Sequence, residues 1–191
     1  MKTDIILAGV GGQGILSIAA TLGAAALNEN YYLKQAETHG MSQRGGAVVS
    51  HLRISDKPIF SDLIPTGEAD IILSVEPLES LRYLPYLSKH GSLVTNTTEF
   101  KNIPNYPELK NTFADLSSKI NIIQIDADRI AREIGNSKAS NMVMLGAASP
   151  FIHIHEEIIV QGIRAIFKQK GSEIVNLNIK AFIAGKEFTG K

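Results

Sequence analysis

Asp4-Ile5-Ile6-Leu7-Ala8-Gly9-Val10-Gly11-Gly12-Gln13-Gly14-Ile15 is the stretch whose reading decides the fold. Its opening apolar run has the unbroken hydrophobicity of a strand buried on both faces of a parallel sheet. Glycines interrupt the run, and Ile15 to Leu27, rich in alanine and leucine, reads as a helix closed by polar Asn28-Glu29-Asn30. Gly9, Gly11 and Gly14 have the G-x-G-x-x-G spacing between a strand and a helix. Glycine permits a tight turn at positive φ and lets backbone N–H groups approach an anion at a helix N-terminus. The spacing admits close strand–helix packing without a ligand, an anion or phosphate contact, or a dinucleotide site. The last also wants an acid about 20 residues on, at the end of the second strand. Glu37 stands in that place.

Outward from this unit, strands are expected at Tyr31–Ala36, Ala47–Ile54, Asp70–Val75, Ser92–Thr95 and Ile120–Ile125. Ser55-Asp56-Lys57-Pro58 looks like a turn, which would let Ile59-Phe60-Ser61 pair back antiparallel. Pro77 opens a helix running to about Leu87, and Asp126–Ile134 is helical up to Gly135, a C-cap. A helix over Asn141–Ala148 stops before Pro150. His155–Lys170 is amphipathic with Gly171 as its cap, and Asn176 could N-cap a final helix through Phe188. Asn96 to Ser118 is the least regular region and is expected to loop around a short helix. Strands alternating with helices predict an α/β chain: a three-layer α/β/α arrangement around a mostly parallel sheet, made mixed by the hairpin. Residues 1–191 are expected to form a single domain.

Composition narrows the function. With 44% apolar and 20% charged residues the chain is of globular type. A chain of this length buries roughly 70% of the surface its unfolded form exposes. No apolar run approaches a membrane span, and the N-terminus lacks the pattern of a signal peptide, so a cytoplasmic location is expected. Nineteen basic and 19 acidic side chains cancel, which speaks against a phosphate-backbone partner such as nucleic acid. The chain has no cysteine. That removes disulfides, thiolate catalysis and Cys-ligated zinc or iron–sulfur clusters. If electrons pass through an iron–sulfur centre, that centre sits on another chain.

The most chemically loaded segment is Glu37-Thr38-His39-Gly40-Met41-Ser42-Gln43-Arg44-Gly45-Gly46. Following the second strand, it should hang beside the glycine turn at the carboxyl ends of the strands, where open α/β sheets bind ligands. Arg44 offers a planar fork for a carboxylate or phosphate, a contact worth about 1.5–3 kcal/mol. Gly45 and Gly46 would let the following backbone come close. The competing reading is a solvated loop whose arginine pairs with a surface acid. The candidate contact residues are Gly11, Gly12, Gln13, Gly14, Ser42, Gln43, Arg44, Gly45 and Gly46.

Gly9 to Ile15 followed by Glu37 to Gly46 resembles the gamma subunit or domain of the 2-oxoacid:ferredoxin oxidoreductases. Further matches are Asp62-Leu63-Ile64-Pro65, Gly67 to Asp70, Glu76 to Arg82, Gly135-Asn136, Asn141 to Gly146 and Asn176 to Phe182. Arg44-Gly45-Gly46 is shared across the wider family, and His39-Gly40-Met41-Ser42-Gln43 points to its indolepyruvate branch. The resemblance implies thiamine-dependent oxidative decarboxylation of a 2-oxoacid, electron transfer through iron–sulfur clusters to ferredoxin, and release of an acyl-coenzyme A. It also implies a larger partner subunit carrying the thiamine diphosphate, Mg2+ and clusters, since this chain lacks the Gly-Asp-Gly stretch of a thiamine site. No residue here is assigned as catalytic. The chain would complete the active site of its partner and contribute to the coenzyme A or substrate pocket.

Two other functions compete: an autonomous Rossmann-like NAD(P)- or FAD-binding oxidoreductase, and a non-catalytic interaction module, which would be found alone or as a homodimer. His153 and His155 would share one face of a strand and could hold a metal there, but they fall where a loop becomes a helix. Surface capping or solvation is the preferred reading of them, since only Glu156 and Glu157 lie nearby to complete a metal site. Glu76 and Asn96 each follow a strand and could face the ligand edge or serve as helix-start and turn residues. Asn141-Met142-Val143-Met144-Leu145 reads as a packed helix face.

Overall fold

The computed structural model describes residues 1–39, 45–101 and 103–190. Among them, six strands form one sheet: β1 (Lys2–Val10), β2 (Tyr32–His39), β3 (Ala47–Ser55), β4 (Ala69–Ser74), β5 (Leu87–Asn96) and β6 (Asn121–Ile125). The order is β2-β3-β1-β4-β5-β6. β1, β4, β5 and β6 are parallel, while β3 runs antiparallel to both β1 and β2. The helices are α1 (Ile15–Asn28), α2 (Pro77–Arg82), α3 (Lys110–Ser117), α4 (Ala127–Glu133), α5 (Ser140–Ala148), α6 (Glu156–Phe167) and α7 (Ser172–Thr189).

Period-two alternation divides the sheet between two cores. Ile5 and Leu7 of β1, with Leu52, Ile71, Leu73 and Val94, meet α1 and α4–α7. Ile6 of β1, with Val49, Ile72 and Leu93, meets α2, α3 and the segments around them. The expected α/β/α layering around a mixed sheet is therefore present. On the first face the helices are two deep: α1 and α5 lie on the strands, α6 packs on α1 and α7 on α5. Consistent with that position, every residue of α5 from Asn141 to Ala148 is buried. No helix among the described residues is long and apolar enough to cross a membrane.

The hairpin is not where the sequence reading puts it. Ile59-Phe60-Ser61 forms no strand; the antiparallel partner of β3 is β2, joined to it across the loop that ends at Gly46. Because β3 pairs on one side with β2 and on the other with β1, it has no edge left for residues 59–61. That segment is held instead by Arg53, whose Nη1 donates to the Ser61 and Leu63 carbonyls at 3.2 and 3.0 Å. The second helix also stops early, at Arg82, and a 3-10 turn over Leu84–Tyr86 leads directly into β5. Pro85 explains the break, since it lacks a donor and disfavours helical geometry in the residue before it. Asn176 is not an N-cap: α7 begins at Ser172, after Gly171 turns the chain at φ 91°.

One buried titratable contact gives the fold a pH dependence. His51 of β3 accepts the Ile64 N–H at Nδ1 (3.1 Å) and packs edge-on against Tyr86. Burial pushes its pKa below the ordinary value, with Arg53 adding to the effect and Asp62 opposing it. Unfolded, it would take up a proton near pH ~6.5, where the folded chain still resists doing so. The stability it contributes is therefore complete above that pH and declines as pH falls below it. Urea midpoints at about pH 7.5 and 5.5 should differ measurably, and His51→Gln should narrow the difference.

Candidate functional site

The site lies at the carboxyl ends of the parallel strands, where β1, β4, β5 and β6 all deliver their following loops to one edge. β2, antiparallel to β3, runs in the same sense as β1 and brings its loop to the same edge. Two buried side chains tie these loops together. Asn96, at the end of β5, donates through Nδ2 to the Val75 carbonyl and to Asp128, and accepts at Oδ1 from the Thr97 and Ala127 N–H groups. Glu76, just beyond β4 and 1% exposed, caps α2 by accepting the Glu79 N–H at Oε2. Its other oxygen accepts the Tyr106 hydroxyl at 2.6 Å and the Phe100 N–H at 3.2 Å. Burial and this carboxylate hold the Tyr106 phenol far above its ordinary pKa, so it remains the donor. Glu76 and Asn96 thus serve at a helix start and a turn, and in doing so they fix the loops at the carboxyl edge of the sheet.

The glycine turn is tightly tied down. The Gln13 side chain folds back to accept the Val10 N–H at 2.7 Å, while its own backbone N–H donates to the Val10 carbonyl at 3.1 Å. The Gly11 N–H donates to the Gly46 carbonyl at 2.9 Å. Of the backbone donors foreseen here, those of Gly11 and Gln13 are therefore occupied. The Gly12 and Gly14 N–H groups have no partner among the described residues, and both lie where α1 begins, a place suited to an anion. Gly12 and Gly14 line a cleft of about 310 Å³ together with Ile15, Leu16 and Val48. Gly14 has φ 81°, and a Cβ there would come within 2.5 Å of the Asn141 amide. Only glycine meets both demands.

Asn141 is a site residue that sequence reasoning missed. At the start of α5, 94% buried on its 6% exposure, it donates from Nδ2 to the Gly14 carbonyl at 3.1 Å. It braces the turn from below, across a sequence gap that no local pattern spans. Phe100 and Tyr106 were missed too, because they lie in the segment with no periodicity to read.

Of the loop candidates, Gly45 and Gly46 are seen beside the glycine turn: Gly46 through its bond to Gly11, and Gly45 against the Phe100 ring. Ser42, Gln43 and Arg44 lie outside the described residues. Glu37 sits on β2, two strands away from β1, a distance of roughly 10 Å. The strand next to β1 on that side is the antiparallel β3, so Glu37 cannot play the ribose-binding acid of a dinucleotide fold. His153 and His155 are exposed, and His155 immediately precedes α6. Among the described residues no cluster of His, Asp or Glu could hold a metal. The donors at this edge are amides, suited to an anion, and a chain without cysteine cannot ligate an iron–sulfur cluster by thiolates. The site thus fits neither a cluster nor a magnesium-bound thiamine diphosphate of its own. A groove of about 360 Å³ between α6 and α7 is larger, but its polar lining residues are all exposed.

Comparison with known proteins agrees with the fold. The family model described as pyruvate ferredoxin/flavodoxin oxidoreductase matches residues 4–188. Indolepyruvate oxidoreductase subunit IorB of Thermococcus kodakarensis is 38% identical, covering 95% of this chain and 93% of that protein. The protein of the same name from Pyrococcus horikoshii is 37% identical, with the same coverage of 95% and 93%. Among solved structures, a 2-oxoglutarate:ferredoxin oxidoreductase from Magnetococcus marinus, with 2-oxoglutarate, coenzyme A and succinyl-CoA bound, superposes with a TM-score of 0.79. The identity is 22%, and the match covers 99% of this chain but 31% of that one, which speaks for the fold alone.

Proposed function

The chain belongs to the pyruvate ferredoxin/flavodoxin oxidoreductase family, and from that premise we propose that it is the non-cluster subunit of an indolepyruvate:ferredoxin oxidoreductase. The observation that carries the oxoacid is the near-full-length similarity to two subunits named for indolepyruvate. Residues 1–191 act as one gamma-type domain seated on a larger subunit, in the cytoplasm. That partner holds thiamine diphosphate, Mg2+ and the iron–sulfur clusters, and passes electrons to ferredoxin. Coenzyme A is the co-substrate. This chain contributes Gly12 and Gly14 as amide donors, Gly11 and Gln13 as the braces of the turn, and Ser42, Gln43, Arg44, Gly45 and Gly46 as further ligand-contacting residues.

Two measurements test this. Co-expressed with its partner, the tagged chain should bring down a large, cysteine-rich subunit carrying iron, sulfide and thiamine diphosphate. Recovery of the chain alone, or as a homodimer, under the same conditions would contradict the reading. In the active complex, Arg44→Ala should raise the KM for coenzyme A or the oxoacid by about 10-fold or more, as loss of a charge-assisted contact requires. Unchanged kinetics would remove Arg44 from the pocket.

A further inference from the structure

Phe100 is 43% exposed at the carboxyl edge, yet its backbone is fastened by a carboxylate that is almost fully buried. Taking Glu76 out of water is costly unless its oxygens are well bonded. Capping α2 uses one oxygen and would be done as well by a short side chain such as Ser or Asp. The other oxygen is spent on residues of one loop, through the Phe100 N–H and the Tyr106 hydroxyl. Tyr106 also packs against the core that holds Leu109 and Phe113, so its bond to Glu76 serves that packing, whereas the Phe100 ring stays outside. Scattered exposed apolar residues are ordinary. This one is held in place, and its Cε1 would lie 3.9 Å from a Cβ at Gly45, next to the residue whose carbonyl binds Gly11.

We propose that Phe100 is the aromatic wall of the site, stacking on a flat ring system of a ligand whose anionic end lies at the Gly12 and Gly14 amides. The inference rests on the functional reading above, in which two molecules combine an aromatic ring with an anion: coenzyme A through its adenine, and indolepyruvate through its indole. Tyr106 and Glu76 are positioning residues that act through Phe100.

The purified complex with its partner subunit is the test, using Phe100→Ala and the ring-retaining Phe100→Tyr. Calorimetric titration with coenzyme A and with indolepyruvate should show about 10-fold weaker binding of one of them to Phe100→Ala, the loss expected of one stacked ring. Phe100→Tyr should bind nearly as the unaltered complex does. Steady-state kinetics should show KM rising with kcat within about twofold. Weaker coenzyme A, with pantetheine (which lacks adenine) unaffected, identifies adenine as the stacked ring. Weaker indolepyruvate, with pyruvate unaffected, identifies indole. Equal binding of both ligands to Phe100→Ala overturns the proposal, as does equal damage from Phe100→Tyr. An unaltered complex without oxoacid oxidation would refute the functional reading instead, while the titrations would still report on the ring.

Discussion

Gly146→Val should leave little folded subunit. A Cβ at Gly146 would sit 1.9 Å from the Phe182 carbonyl oxygen, and one at Gly185 would sit 1.9 Å from the Val143 carbonyl oxygen. The α5 and α7 backbones therefore touch at a crossing that admits no side chain on either helix. The atoms in the way are backbone, so relief requires the helices to part. α5 has no free direction in which to move, because it is buried all round and lies on β4, β5 and β6. Overpacking a core commonly costs about 1–3 kcal/mol, and a clash with rigid backbone should exceed that range. Against a total stability of about 5–15 kcal/mol, the result is an insoluble or thermally fragile chain. Gly146→Ala should show the same defect in milder form, as a lower melting temperature in circular dichroism.

Asp4→Ala is the second large effect, and it strikes the opposite edge of the sheet. Asp4 is fully buried, with Arg53 Nε and Nη2 on its two oxygens at 2.8 and 3.0 Å and Lys2 Nζ at 2.9 Å. Removing the carboxylate leaves the Arg53 guanidinium, with a side chain 16% exposed, without its counter-charge. Breaking one side of a buried pair typically costs about 3–5 kcal/mol, whereas replacing both members with apolar groups is far milder. Urea denaturation should therefore rank Asp4→Ala below the double variant Asp4→Leu/Arg53→Met. Because this cluster is at the amino end of β1, whatever Asp4→Ala protein remains folded should keep its site and its full activity per folded molecule.

Much of this architecture is legible in the residues themselves. The apolar runs at Asp4–Ala8 and Asp70–Val75 mark buried strands, and Gly9 to Gly14 marks the turn into α1. Strand order is another matter. Periodicity shows that Ala47–Ser55 is extended, but nothing local tells it to insert between β2 and β1. For that reason the sequence reading sought its hairpin partner on the wrong side, at residues 59–61. The same limit applies to the site. Gly14 can be recognised from spacing, with Gly12 as an extra glycine inside the same turn, whereas Asn141 beneath Gly14 and Phe100 beside Gly45 arrive from distant segments. Their roles come from tertiary packing, which a single sequence does not encode in any short pattern.

Glu37 shows how the two kinds of information correct each other. Its spacing from the glycine turn fits a dinucleotide fold, and the topology removes that reading by placing β3 between. What remains is a glycine turn braced by Gln13, Gly46 and Asn141, with two amide donors left over among the described residues, in a chain without cysteine.

The central claim is that this chain works only as part of an indolepyruvate-type complex. Its most direct test is coenzyme A-dependent reduction of ferredoxin by the chain alone, the partner alone and the two combined, with indolepyruvate, pyruvate, 2-oxoglutarate and 2-ketoisovalerate as substrates. The account predicts no activity for either part alone and a clear preference of the combined enzyme for indolepyruvate. Full activity of the partner without this chain, or no activity of the combined proteins with any of the four oxoacids, would contradict it.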